Sequence, residues 1–175
     1  MIHRIHEDIT LSQVTLSDAD RLVEVLSEED IHQNTSRLPY PYTLHDAKEW
    51  IAYVEESRRE TGQLRNWAIR DSHGVLLGGI GFHLKYDPKA HKDEVGYWLG
   101  KPYWNRGILS RTLPFVCNLA AKEWKLVRIE AFVFDFNQAS ARVLEKAGFE
   151  MEGVLRKYAL KNNVLVDAKA YVLLV

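Results

Sequence analysis

Apolar and polar positions change period several times along the chain, and each change predicts an element. Between Asp93 and Leu99, the apolar Val95, Tyr97 and Leu99 alternate with Glu94, Gly96 and Trp98, the two-residue period of a pleated strand. Gly100, Lys101 and Pro102 interrupt it. From Ile108 the spacing becomes three and four, so Ile108, Leu109, Leu113, Val116, Cys117 and Ala120 predict one buried stripe along a helix.

The rest of the chain divides in the same way. Residues 9–16 predict a first strand whose apolar face switches between Leu11 and Val14, as at a bulge. Ser17 is placed to cap a helix whose inner positions are Ala19, Leu22, Val23 and Leu26. The acidic run Glu28-Glu29-Asp30 reads as solvated surface, and residues 36–42 as a proline-broken loop. Thr43 restarts a helix with Ala47, Trp50, Ile51 and Val54 inside and Gly62 past its end. Residues 67–70 and 75–84 predict a hairpin about Asp71-Ser72-His73-Gly74, followed by a polar connection over 87–92.

Beyond the helix at Ile108, residues 127–134 alternate again, with Ile129, Ala131 and Val133 on one face. Because a helix precedes this strand, it is predicted to run parallel to 95–99. Asn137 is placed to cap another helix that buries Val143, Leu144 and Ala147, with Gly148 as the left-handed residue beyond it. Strands over 149–160 and 164–174 end the pattern, joined by Lys161-Asn162-Asn163.

The chemistry concentrates between the strand at Leu99 and the helix at Ile108. A helix N-terminus presents amide hydrogens without intrahelical partners and a partial positive charge, which together attract an anion. Trp104-Asn105-Arg106-Gly107 leads into such a terminus; Gly107 permits close approach of backbone to phosphate, Arg106 adds a cation, and Ser110 a hydroxyl. A glycine between strand and helix also serves simply as a turn, and this stretch alone leaves both readings open.

Composition narrows the field. The 175 residues suit one domain, and 46% hydrophobic content supports a sizeable core. Lys plus Arg number 23 against 24 Asp plus Glu, so a net charge of -1 supplies no electrostatic capture of nucleic acid or anionic membrane. No apolar run approaches signal-peptide or membrane-spanning length, which makes a cytoplasmic enzyme the expectation. The single Cys117 sits on the apolar stripe as a buried inert thiol, and the seven histidines form no metal-ligand spacing. Among them His83, on a strand, is a conceivable base, with a surface or packing role as the alternative.

The chain resembles the GNAT N-acetyltransferase superfamily. Its short signature, Gln or Arg, two residues, Gly, one residue, then Gly or Ala, falls on Trp104, Gly107 and Leu109, so only the central glycine matches strictly. The fuller likeness is to the ribosomal-protein-alanine/serine (RimJ/RimL-like) branch: GYWL at 96–99, the W-x-x-G-I-x-S turn at 104–110, RIEAFVF into NQAS at 128–140, RVLEKAGF at 142–149 and EGVLRK at 152–157. It covers residues 93–175 nearly without a gap, and the first 60 residues only in layout. The resemblance implies an α/β fold over 1–175: a mixed, mostly antiparallel sheet of about six to seven strands with a splayed parallel central pair, flanked by about four helices.

It also implies acetyl-CoA as co-substrate, no metal, and acetylation of a primary amine, foremost the N-terminal α-amino group of a protein or peptide. The pantetheine arm is then expected on the main chain of Trp98 and Leu99, and the diphosphate on the turn formed by Trp104, Asn105, Arg106, Gly107, Ile108, Leu109 and Ser110. Asn137 is expected near the thiol end. Many members return a proton to sulfur from a tyrosine, but the equivalent position here is Leu144; the branch uses a serine in N-x-x-S, which is Ser140. Glu94 is the candidate base, with a solvated carboxylate as the plain alternative. In the family the region of Glu28, Glu29 and Asp30 borders the acceptor.

Three departures stand out: Tyr158-Ala159-Leu160 lacks the glutamate that part of the branch carries on the penultimate strand, Leu109 replaces a small residue, and Arg111 stands where many relatives have Glu. The alternatives are an acetyltransferase for a small amine such as a polyamine or antibiotic, and an acyl-CoA-binding module without turnover. A dinucleotide-binding fold is disfavoured because three strands precede the one that leads into the phosphate turn. Monomer and homodimer both remain open.

Overall fold

The computed structural model describes residues 2–83 and 89–175. Its strands follow one another in the order β1-β2-β3-β4-β5-β6-β8-β7. They are β1 (His3–His6), β2 (Ile9–Ser12), β3 (Asn66–Arg70), β4 (Leu76–Phe82), β5 (Lys92–Leu99), β6 (Arg128–Phe134), β7 (Glu150–Lys161) and β8 (Val164–Leu174). The helices are α1 (Ala19–Leu26), α2 (Glu29–Asn34), α3 (Leu44–Thr61), α4 (Ile108–Trp124) and α5 (Gln138–Lys146). Eight strands and five helices exceed the six or seven and four that the sequence predicts. The additions are short: β1, four residues of mixed polarity, and α2, six residues that include part of the acidic run.

Two compact units divide the chain, residues 1–82 with 97–108 and residues 83–96 with 109–175. In the first, β1 to β4 pair antiparallel in sequence order, with Leu11 opposite Ile69 and Trp67 opposite Ile80. Val14, Leu22, Val25 and Leu26 pack with Ile31, Tyr42, Ala47, Ile51 and Ala68, and Trp50 and Trp98 lie against this cluster. Each fully buried aliphatic side chain of this kind contributes roughly 1.5–3 kcal/mol of transfer free energy.

The first strand ends sooner than predicted. Residues after Ser12 turn into a 3-10 segment at Leu16–Asp18, and Thr15, not Ser17, makes the capping box with Asp18. Asp18 explains the break, because Arg70 of β3 donates to both its carboxylate oxygens at 2.7 Å while the Thr15 amide donates to Oδ2 at 2.8 Å. Burial pushes the Asp18 carboxyl up, but the Arg70 and Thr15 hydrogen bonds outweigh it and hold it below the ordinary 3.8. The α3 helix starts where its capping signal places it, with Thr43 accepting from the Asp46 amide, and Gly62 follows its end at φ +70°.

In the second unit, β6 runs parallel to β5 with Lys92, Asp93 and Glu94 opposite Arg128, Ile129 and Glu130. Antiparallel β8 pairs with β6 on one side and β7 on the other. Leu113, Val116, Cys117 and Ala120 of α4, Ile129, Ala131 and Val133 of β6, and Ala141 and Leu144 of α5 are buried. The opposite face of β6 carries Arg128, Glu130 and Phe132, which are only half-buried. Outermost β7 is exposed along most of its length, and its register against β8 slips between Leu155 and Ala159, where Lys157 takes φ +52° and donates its amide to Asp167 Oδ1 at 2.7 Å. Asn162 and Asn163 turn the hairpin with φ of +49° and +63°, as their sequence predicts. Of the predicted hairpin 75–84 and connection 87–92, Leu84, Asp87 and Pro88 lie outside the described residues.

Candidate active site

The turn after β5 belongs to the first unit as far as Ile108. A 3-10 segment at Lys101–Tyr103 follows Gly100, and the chain then passes through Asn105 at φ +59° and Gly107 at φ +69° before α4 begins at Ile108. Two left-handed residues so close together bend the chain sharply into α4, whose N-terminus presents amides without intrahelical partners to an anion. Nothing lies within 4 Å of where a Gly107 side chain would project, so the turn is open there.

Arg106 is held beside this turn through a chain of contacts that the sequence does not reveal. Its guanidinium lies 5.9 Å from the centre of the Tyr103 ring. Tyr103 in turn accepts a hydrogen bond from Arg21 at 2.9 Å, and Arg21 is fixed by the Leu76 carbonyl at 3.1 Å and by Glu24 at 2.6 Å. The positioning residues Arg21 and Tyr103 are 82 positions apart in sequence, so no local pattern links them.

Trp98 and Trp104 have distinct surroundings. Trp104 Nε1 donates to the Leu99 carbonyl at 2.6 Å, tying the turn back to the strand. The Trp98 indole covers Gly79 of β4, and its carbonyl lies against Gly78; a side chain on either glycine would clash. Gly100 N–H donates to Leu77 O at 2.9 Å and His83 N–H to Glu94 O at 2.9 Å, so even-numbered positions of β5 turn their main-chain groups to β4. Those of Tyr97 and Leu99 face the other edge. Of the two residues assigned to the pantetheine arm, Leu99 therefore turns its amide outward while its carbonyl is engaged by Trp104, whereas the Trp98 main chain faces β4 and its indole packs on Gly79.

The second unit contains the remaining candidates. Asn137 caps α5 through Oδ1, which accepts from the Ser140 amide at 3.1 Å. Half-buried Ser140 stands in the first turn, where the helix dipole stabilises negative charge. Leu109 and Ser110, both half-buried, form the start of α4. Pro114 supplies no amide hydrogen to the Ser110 carbonyl one turn before it.

Glu94 is half-buried and shares a face of β5 with Lys92 and Gly96. His83, directly opposite Glu94, leans across Gly96 so closely that a Cβ there would meet its Nε2. Gly96 is thus required for the imidazole's seat, not only for strand bending. On the same face of β6, Lys92 and Arg128 both bond Glu130, at 3.1 Å and 2.7 Å, and Arg128 also reaches Glu152 at 2.6 Å. Burial pushes the Glu130 carboxyl up, but those hydrogen bonds hold it below the usual carboxylate value. Tyr158, on the segment where part of the branch carries glutamate, stacks on Phe132 at 5.5 Å.

Two other expectations resolve simply. Asp30 is ion-paired with Lys101, and Glu29 accepts from Gln33 at 2.9 Å, so the acidic run is engaged within its own unit. Burial pushes the Cys117 thiol up to about 12, as befits an inert core thiol. Among the described residues no cluster of His, Cys, Asp or Glu is arranged to hold a metal, and no helix is long and apolar enough to cross a membrane.

Comparison with known proteins gives this geometry a context. Residues 8–150 match the acetyltransferase (GNAT) domain. The uncharacterized N-acetyltransferase YoaA of Bacillus subtilis (strain 168) is 31% identical over 164 residues, covering 93% of this chain and 91% of that protein. The L-amino acid N-acetyltransferase AaaT of Escherichia coli (strain K12) is 26% identical over 162 residues, 92% and 94% of the two chains. Among solved structures, RimL, a ribosomal L7/L12 alpha-N-protein acetyltransferase in complex with coenzyme A, superposes with a TM-score of 0.90 at 18% identity over 100% of this chain and 98% of that one, which shows a shared fold. The chain belongs to the GNAT acetyltransferase family.

Proposed function

We propose that the protein transfers the acetyl group of acetyl-CoA to a primary α-amino group, that of a protein or peptide N-terminus in the first instance. The observation that carries this reading is the turn before α4: left-handed Asn105 and Gly107 open onto a helix N-terminus, with Arg106 held alongside by Tyr103. Amide donors plus one fixed cation fit a diphosphate. On this reading residues 104–110 hold that group, and the outward amide of Leu99 pairs with the arm.

When bound, acetyl-CoA supplies an acyl carbon activated as a thioester. Asn137 holds the arm at the thiol end, and Ser140 hands a proton to the departing sulfur from within the positive field of the α5 N-terminus. Glu94, on the face of β5, takes the proton that the acceptor's ammonium must lose. An α-amino group, with an ordinary pKa near 8, suits so modest a device better than a lysine does. RimL supports a protein N-terminus as acceptor by its fold and stated activity. The relation to AaaT favours a second reading, a small amine of the amino-acid kind.

Calorimetry with coenzyme A and thiol release with serine- and alanine-led peptides, free amino acids and polyamines test these readings together. Peptide-dependent release supports the first, and release with small amines alone replaces it with the second. Binding without release identifies a non-catalytic acyl-CoA module, and absence of any coenzyme A affinity ends the acyltransferase reading.

A further inference from the structure

We propose that two copies of this chain associate through β7, pairing antiparallel about a two-fold axis at Val154. The strand ends the sheet order, so among the described strands it pairs on one side only. Which of its main-chain groups reach the other side follows from β8. Asp135 N–H donates to Asp167 O at 3.0 Å and Val175 N–H to Val127 O at 3.2 Å, so odd-numbered positions of β8 turn their main chain to β6 and even-numbered ones to β7. Gly153 and Leu155 lie opposite Ala170 and Ala168 and spend their main-chain groups there. Val154, between them, directs its amide and carbonyl away from the sheet. A second copy laid antiparallel with its own Val154 opposite exchanges two hydrogen bonds at that point.

The side chains suit a partner of the same sequence. In this register Leu155 faces Gly153 of the second copy, a non-hydrogen-bonded pair in which side chains approach most closely. Leu155 is 38% exposed, and nothing lies within 4 Å of where a Gly153 side chain would project, so the apolar side chain of one copy meets open space on the other. Two-fold symmetry makes that contact twice, with Val154, 53% exposed, on the axis. The charges change sign at the same point: Glu150 and Glu152 precede Val154, and Arg156 and Lys157 follow it. Antiparallel pairing brings the acidic half of each strand beside the basic half of the other, whereas parallel pairing sets like against like. Glu152 is already bridged by Arg128 at 2.6 Å, but a carboxylate accepts from more than one cation.

The ladder has a defined length. The register of β7 slips between Met151 and Gly153 and again between Leu155 and Ala159, where Lys157 is left-handed, so regular pairing is confined to the short stretch around Val154. Each copy closes the other's edge there, and a third chain finds no regular stretch to extend. The association is independent of the acetyl-transfer reading and is tested without any substrate.

Sedimentation velocity of the full chain at roughly 1–100 μM is the test, because a short ladder with few side-chain contacts associates as an interface below standard size does. The unmodified protein is expected to pass from monomer to dimer with rising concentration and to form nothing larger. Val154→Pro removes the outward amide without touching the β8 ladder, and is expected to stay monomeric with an unchanged circular dichroism spectrum. Since Glu152 also serves Arg128, charge is reversed at Glu150 instead. Arg156→Glu and Glu150→Lys are each expected to weaken the dimer at least tenfold, and an equimolar mixture of the two variants to recover it, because each then meets the opposite sign. A chain that stays monomeric throughout the range overturns the proposal. So does a dimer that Val154→Pro leaves intact, a mixture no tighter than its separate components, or assembly beyond two copies. If Val154→Pro fails to fold, the charge-reversed pair decides the matter alone.

Discussion

Arg70 uses all three of its guanidinium nitrogens within the first unit: Nη1 and Nη2 grip Asp18, and Nε donates to Ser12 Oγ at 2.7 Å. Both side chains of the pair are largely withdrawn from water, so removing one partner strands the other's charge. Arg70→Leu is expected to destabilise the fold by roughly 3–5 kcal/mol in urea unfolding at neutral pH. The sign of the pH effect follows from the depressed Asp18 carboxyl. Its stabilisation is complete above the ordinary 3.8 and is lost as pH falls through the lower folded value. The stability gap between unmodified protein and Asp18→Asn should therefore narrow below pH 3.8 and stay constant from there toward neutrality. At Ser140 a different signature is expected: Ser140→Ala lowers kcat while leaving the KM for acetyl-CoA and the thermal midpoint nearly unchanged, because its amide keeps the Asn137 bond.

Among the elements, the turn 104–108 and the start of α4 act as one device. Gly107→Val places a β-branched side chain at φ +69°, where only glycine is unstrained, and is expected to weaken coenzyme A binding at least tenfold by calorimetry without unfolding the protein. Thr43→Ala probes an element remote from that turn and should cost about 1 kcal/mol in thermal or urea unfolding while leaving coenzyme A affinity intact. Elements of this kind are readable in advance because their signals are local: Thr43 with Asp46, Asn137 with Ser140, and Asn162-Asn163 each specify a boundary through neighbours three or fewer residues away. The same holds for the turn into α4, where Gly107 and the onset of the apolar stripe at Ile108 are adjacent.

Local pattern fails where a distant partner decides. Residues 9–16 alternate well enough to be a strand throughout, but Asp18 must turn back to meet Arg70, and β2 stops at Ser12. His83 reads in the sequence as a candidate base or a packing residue, and nothing there shows that its ring lies against Gly96. Arg106 gives no hint in the sequence of its support by Tyr103 and Arg21. Short β1 and α2 escape notice for a plainer reason: four and six residues are too few for a period to declare itself.

At the scale of the molecule, β5 and α4 each contribute residues to both compact units. Unfolding either unit therefore removes part of an element that the other also uses, and the chain is expected to unfold in a single transition. Urea profiles followed by tryptophan fluorescence and by far-ultraviolet circular dichroism should coincide, and Arg70→Leu should displace both equally. Separate midpoints would show the two units to be independently stable.

The outermost strand leaves its own mark on how this protein behaves in a crowded solution. A long, flat ribbon bearing Val154, Leu155 and Leu160 in contact with water is the kind of template onto which a stray polypeptide adds itself. The kink at Lys157, pinned by the Asp167 carboxylate, interrupts that ribbon midway, so an incoming chain meets a misaligned ladder with a lysine at the break. Solubility at this margin then depends on one carboxylate facing inward from the neighbouring strand.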